Sequence, residues 1–350
     1  MFNFKKNNLS KYSIFFISII FLSCKGEKSF TLENIEQLTF SGDNGEGYFN
    51  HDETGIVFQS KRDGNGCDKL YLVDINGKDL KEFPIKDGAF TCAYYALKDE
   101  YIFFSSTMED GPECPEVYKH PNPRKYIWPL RNYEIYRWDG EQAVQLTKFP
   151  GYNAETTIHP TERTVIFTSM RNGDIDLYEM DYDGNNVKRI TSEYGYDGGA
   201  FYSPDGNSIV WRAWYPSTAK EKERWSINLE NKYIDAVPLD IYIASRDGSN
   251  KKRLTNNGAT NWSPSWHPDG RHIIFSSNMD DWRDDYNAYG SNFELYVINI
   301  DTMNTQRLTN NDTFDSFPVI SKSGKVIFSS NRDAKNPRDT NIFVGSILNK

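Results

Sequence analysis

Histidine is scarce in this chain. Five occur in 350 residues, too few for a His-rich metal enzyme, though enough for one small site. Cysteine is scarce as well, at four, which excludes a disulfide-dense scaffold. Basic residues are outnumbered: 40 Lys and Arg against 49 Asp and Glu leave a formal net charge of −9. That balance argues against nucleic acid or an anionic membrane surface as partner, because phosphate binding needs a basic footprint. No His-Glu-x-x-His, Gly-x-Ser-x-Gly, Walker or Gly-x-Gly-x-x-Gly motif is present. What the chain has in quantity is aromatic side chains, 15% of its residues. A disordered polypeptide would be poorer in them, so a packed fold is expected.

The N-terminus reads as an address. Lys5, Lys6 and Lys11 form a basic segment, and Tyr12 to Leu22 is apolar. At about 11 residues this stretch is too short to cross a bilayer of roughly 30 Å as a helix. Phe21-Leu22-Ser23-Cys24 follows and resembles a bacterial lipobox, with Phe21 standing where Leu is usual. The resemblance implies a signal peptide over residues 1–23, lipid on Cys24, and an anchor and short linker over 24–34. Lys25 follows the cysteine, so an acidic inner-membrane retention signal is missing. The expected address is the outer membrane, lipid-anchored, facing the periplasm or the cell surface. Cys67, Cys92 and Cys114 remain for an oxidising compartment, an odd number.

One phrase recurs along the rest of the chain. It runs from an apolar segment ending Leu-Thr through a Pro-Asp-Gly-like turn to a β-branched run ending Phe-Ser-Ser, then an Ile/Leu-Tyr strand and Asp-Gly. Arg253-Leu254-Thr255, Pro268-Asp269-Gly270, Ile273-Ile274-Phe275-Ser276-Ser277 and Leu295-Tyr296 make the clearest copy. Turns between the first two strands fall near residues 52, 98, 160, 204, 268 and 322. Six copies at a basic period of roughly 40–45 residues, lengthened by insertions, predict an all-β, six-bladed β-propeller of four-stranded antiparallel blades. The sixth copy ends at Asn341 to Gly345 without a Leu-Thr strand, and Ile35-Glu36-Gln37-Leu38-Thr39 is such a strand without a blade before it. The fragments complete one another, so an N-terminal strand in the last blade closes the ring, and the propeller is expected over 35–350.

These repeats, with Gly151-Tyr152-Asn153-Ala154-Glu155, Gly195-Tyr196-Asp197-Gly198-Gly199, Trp211-Arg212-Ala213 and Phe314-Asp315-Ser316-Phe317-Pro318, resemble TolB-type propellers with WD40-like PD40 repeats. The resemblance implies a binding platform in the cell envelope, with no established chemistry. Two enzymatic families share the repeat. Lyases of uronic-acid polysaccharides use Arg, His and Tyr around the channel, and serine peptidases carry such a propeller beside their hydrolase. A lyase or a stand-alone relative of the peptidase propeller is therefore the alternative reading.

In a propeller the loops entering each blade share a face with those joining its second and third strands. Every long insertion falls there: about 107–132, 212–240 and 278–292. Long loops on a rigid scaffold are where function tends to sit. Around that channel mouth the sequence places Glu155, Asp197, Trp262 and Asp315 on entering loops, and Arg171, Arg212, Asn278 and Arg332 at the ends of second strands. The functional reading is a polar pocket: Arg forks for an anion, acids for hydroxyls or a cation, Trp for stacking. The structural reading is a set of ion pairs that keep the blades in register. Ser217 to Arg224 is rich in helix formers and predicts a short helical lid. Cys92 and Cys114, near one face of one blade, are the preferred disulfide, with Cys67 the alternative partner of Cys114. His267 and His272 flank a turn on the opposite face, so neither a metal nor a cofactor is expected. The sequence thus points to a monomeric, non-catalytic lipoprotein whose loop face binds an envelope protein or a glycan.

Overall fold

The computed structural model describes residues 29–116, 118, 127–281, 292–337 and 339–349. They form six four-stranded antiparallel sheets. The first three blades are built from Asp43–Phe49, Gly55–Lys61, Lys69–Asp74 and Lys81–Glu82; Phe90–Tyr95, Ile102–Ser106, Glu134–Trp138 and Ala143–Gln145; and Asn153–Ile158, Thr164–Ser169, Asp176–Asp181 and Lys188–Arg189. The next two use Tyr196–Tyr202, Ser208–Trp214, Asp240–Ser245 and Lys252–Arg253, then Asn261–Trp266, His272–Ser277, Glu294–Asn299 and Thr305–Arg307. The sixth takes Asp315–Ile320, Lys325–Ser330 and Asn341–Asn349, and its fourth strand is Phe30–Gln37.

The second strands read as unbroken apolar runs because both their faces are covered by neighbouring blades. Val57, Phe103, Ile166, Val210, Ile274 and Ile327 are all at 1% exposure or less. The recurring Leu-Thr is a latch. Thr147, Thr191, Thr255 and Thr309 each accept, through Oγ1, the N–H of the third strand of their blade at 2.8–2.9 Å. Thr39 does the same for Ile342 at 2.8 Å. The threonine thereby satisfies a buried donor where the short fourth strand has ended.

Closure follows the expected plan but starts earlier. Phe30 pairs with Asn349 and Gln37 with Phe343, so five residues assigned to the linker belong to the sheet. Phe30 is the reason. Its ring is 2% exposed and lies edge-on to His267 and His272, at 5.3 and 4.7 Å between centroids. Its backbone N–H donates to Gln306 Oε1 at 2.9 Å, and Gln306 Nε2 returns a bond to its carbonyl. Cys24 lies outside the described residues.

The insertions build a second layer on the loop face. Ile127–Pro129 from the second blade and Tyr233–Asp235 from the fourth pair as a two-stranded antiparallel ribbon. Between the fourth blade and this ribbon runs the helix Ala219–Glu230, started by a capping box of Thr218 and Glu221. It is firmly seated. Trp225 is fully buried and donates Nε1 to Asp174 at 2.8 Å, and Asn228 and Arg224 bind the two carboxylate oxygens of Asp235 at 2.6 and 2.7 Å.

Candidate functional site

Every innermost strand carries a bulge at the same place. Register slips between Gly45 and Tyr48, Thr91 and Tyr94, Ala154 and Thr157, Gly198 and Phe201, Trp262 and Ser265, and Ser316 and Val319. At each slip one residue has positive φ: Glu46 at 51°, Cys92 at 51°, Glu155 at 60°, Gly199 at 61°, Ser263 at 49° and Phe317 at 55°. All six line one cavity in the central channel. A bulge sets two residues against one and re-aims a side chain. Here six bulges aim one residue per blade at the axis. Five of the six are not glycine, and a left-handed residue of this kind costs about 1 kcal/mol or more.

The centre of the ring is a buried ion pair. Arg212 and Glu155 have side chains 5% and 6% exposed, and Arg212 Nη2 donates to Glu155 Oε1. Glu155 Oε2 accepts from Thr168 Oγ1 at 2.7 Å and from the Gly199 N–H at 2.9 Å. The guanidinium sits 3.8 Å from the ring centre of Trp262 and 5.3 Å from that of Trp128 on the ribbon. Burial opposes the Arg212 charge most, but Glu155, Tyr196 and Tyr152 together more than offset this and hold the guanidinium above its ordinary value. Glu46, across the ring, lacks such a partner for Oε2. Burial pushes its carboxyl up to about 7, against a hydrogen bond from Cys92. The Cys92 thiol is raised well above its ordinary value by burial, then by Glu46 and Glu155.

The room left is small. The cavity measures about 30 Å³, where one water needs roughly 10–15 Å³. Above it the ribbon and helix pack against the blades in an apolar layer that includes Leu130, Tyr152, Tyr196, Trp225 and Ile234. Below it Tyr48, Tyr94 and Phe201 reach across from the first, second and fourth blades, with ring centres 4.9, 6.2 and 6.3 Å apart. One or two waters fit between these layers; a sugar ring does not.

Of the residues the sequence places at the channel mouth, Glu155, Arg212 and Trp262 meet there. The others hold blade corners. Asp197 is fully buried and accepts from Trp211 Nε1 at 2.6 Å and Tyr215 Oη at 2.5 Å, and burial pushes its carboxyl up to about 7. Asp315 accepts from Arg332 Nη2 at 2.5 Å. Arg171 binds Ser169 Oγ at 3.0 Å and lies over Phe167 and Tyr178 of its own blade. Asn278 Oδ1 accepts the Thr260 N–H at 2.9 Å. The alternation along a strand explains the split. Asn153 starts its strand opposite Ser169, and Asp197, second in its strand, lies opposite Ala213; the bulged residue beyond each turns to the axis.

The disulfide joins Cys67 to Cys114, not Cys92 to Cys114. Cys92 is the bulge residue of its blade and points into the channel, buried and free. Cys67 shares the loop face with Cys114, whose Sγ abuts Gly66. Glu46 and Cys92 were not expected at the site. The signal for them is the six-fold spacing of the innermost strands, which aligns them with Glu155.

Among the described residues one His/Asp group could hold a metal: His267, Asp269 and His272. Its atoms have local work. His267 Nδ1 accepts the Asp269 N–H at 3.2 Å, as His159 Nδ1 accepts the N–H groups of Thr161 and Glu162 in the corresponding turn. Asn299 Oδ1 accepts two backbone N–H groups, so its Nδ2 faces His272 Nε2 as donor, at 3.0 Å. The His272 proton then sits on Nδ1, bonded to Asp269 Oδ2 at 2.8 Å. The group is a turn network. His51 also lies on that face, and His120 is outside the described residues.

The fold is a TolB-like six-bladed propeller. No family model matches the chain. It is 28% identical over 150 residues to an uncharacterized protein of Agrobacterium fabrum, covering 41% of this chain and 46% of that one. Over 194 residues it is 26% identical to an uncharacterized peptidase of Bacillus subtilis, covering 49% of this chain and 28% of the peptidase. It is 28% identical over 135 residues to a TolB homolog of Chlorobium chlorochromatii, covering 32% and 31%. The chain thus spans less than half the length of each curated relative. Among solved structures, one described as TolB from Agrobacterium tumefaciens aligns with TM-score 0.56 at 16% identity, covering 92% of this chain and 99% of that one. Oligogalacturonate lyase from Vibrio parahaemolyticus aligns at 0.51 and 12% identity, covering 91% and 97%. At such identities the likeness is one of fold.

Proposed function

We propose that this chain is a cell-envelope lipoprotein, anchored through Cys24, whose propeller is a non-catalytic scaffold for a protein partner. The observation that carries the reading is the size of the channel cavity, about 30 Å³, beneath a seated lid. A channel without room for a substrate leaves recognition to the surface. The lid side supplies one: Phe149, Tyr194 and Ile227 are 42%, 43% and 47% exposed, and aromatic side chains are enriched in protein interfaces. The TolB likeness supports an envelope address. Among the described residues no histidine faces the channel, which weighs against a lyase. Capture from native membranes tests the reading. Wild type is expected to retain a partner that I227E and Y194E lose, while V187E on the flank keeps it. Release of unsaturated uronides from acidic glycans would overturn it.

A further inference from the structure

Phe30 begins the outermost strand of the sixth blade. It pairs with Asn349, the last residue of its neighbouring strand, and its ring meets His267 and His272, which flank the turn after the first strand of the fifth blade. The closing strand therefore enters at the face opposite the insertions, at the outer rim between the fifth and sixth blades, and runs toward the loop face. Six residue steps separate Phe30 from Cys24. Fully extended they reach at most about 22 Å, whereas the eight-residue strand climbs about 23 Å over its seven steps at 3.3 Å each. A lipid on Cys24 cannot double back past the strand to the loop face.

We infer that the bilayer meets the propeller at the turn-face rim of the fifth and sixth blades, so that the loop face and its lid point away from the membrane. This orientation rests on the lipoprotein reading. The rim is polar: Arg271, Asp301, Lys322 and Ser323 are exposed there. It therefore rests against headgroups and does not insert, as burying such charges in hydrocarbon is costly. The lipid surface is thus the partner of one face, and the partner of the other approaches from the aqueous side.

The test uses full-length protein from bacterial membranes, reconstituted in phosphatidylethanolamine–phosphatidylglycerol vesicles with an acceptor dye on the lipid headgroups. A donor is placed on R271C at the rim or on F40C, which is 73% exposed in the loop entering the first blade. At least twofold stronger energy transfer from position 271 is expected. Equal transfer, or more from position 40, would overturn the orientation. Mass spectrometry of the N-terminal peptide separates the two ideas. An unacylated Cys24 removes the lipoprotein reading and the orientation together; an acylated Cys24 with reversed transfer removes the orientation alone.

Discussion

At position 199 a methyl group would sit 1.7 Å from Arg212 Nη1, and the backbone there is at φ 61°. Glycine is the one residue that leaves the guanidinium a path to Glu155. G199A is expected to unseat Arg212 and to cost more than 3 kcal/mol, roughly what breaking a buried ion pair costs; chemical denaturation measures it. R212M should cost about 3–5 kcal/mol because it strands the Glu155 charge, and R212M/E155L should recover part of that. Recovery of nothing would mean that packing on Trp262 and Trp128, not charge, is what Arg212 supplies. Glu46 gives a pH dependence. Its folded value of about 7 lies above an ordinary carboxyl near 4.5. The folded state therefore holds the proton more tightly, and the contribution is complete below about 4.5 and lost as pH rises through 7. Thermal unfolding of wild type should weaken between pH 5 and 8, and E46Q should flatten that fall, leaving a remainder from Asp197, whose carboxyl is raised in the same sense.

Among the elements, the lid depends most on one side chain. Trp225 fills the space between the helix and the fourth blade, 5.9 Å from Trp214 and 6.5 Å from Tyr196 between ring centres. Its Nε1 binds Asp174, which also accepts the Gly195 N–H at 2.9 Å. W225A removes a fully buried ring, worth about 3–5 kcal/mol. The loss is expected to fall on the helix and ribbon, since their packing on the blades centres on this layer. Hydrogen exchange should speed up in residues 219–235 while the second strands keep their protection. Uniform acceleration across all blades would instead make the lid part of the core. The helix itself was readable in Ser217 to Arg224, because charge and helix formers mark it. The ribbon was not. Ile127–Pro129 and Tyr233–Asp235 lie about a hundred residues apart, and three-residue strands carry no periodicity of their own. Without the ribbon, the sequence left the channel mouth open and filled it with Arg171, Asp197, Asn278, Asp315 and Arg332.

At the scale of the whole molecule, repetition made the ring legible. Six turns and a displaced Leu-Thr strand carry enough redundancy to locate each blade and the closure. Repetition is also what hid the site, because Asp315–Arg332 and Glu155–Arg212 look alike as acid and arginine at the ends of two strands. They differ in which side of a bulge they occupy, and a bulge has no residue signature when Glu, Cys, Ser and Phe all adopt it. The closure itself is held without a covalent bond, by the pairing of Phe30–Gln37 with Asn341–Asn349 and by the threonine latch of Thr39. Fixing it covalently tests the register of the entire ring. Thr31 and Leu348 are directly paired, and partners across antiparallel strands lie about 4.5–5.5 Å apart between Cα atoms, within disulfide range. T31C/L348C should oxidise spontaneously and close nearly the full propeller in one loop. Stabilisation of about 2–4 kcal/mol is typical, with long loops at the upper end. The melting temperature should rise in the oxidised form and return to the wild-type value on mild reduction, provided the Cys67–Cys114 bond survives, which C67S/C114S in the same background controls for. A control one residue out of register, T31C/I347C, should not cross-link, since the two side chains then point to opposite faces of the sheet. If the control oxidises as readily as T31C/L348C, the ends of the chain slide against each other and the ring is closed by its apolar faces alone.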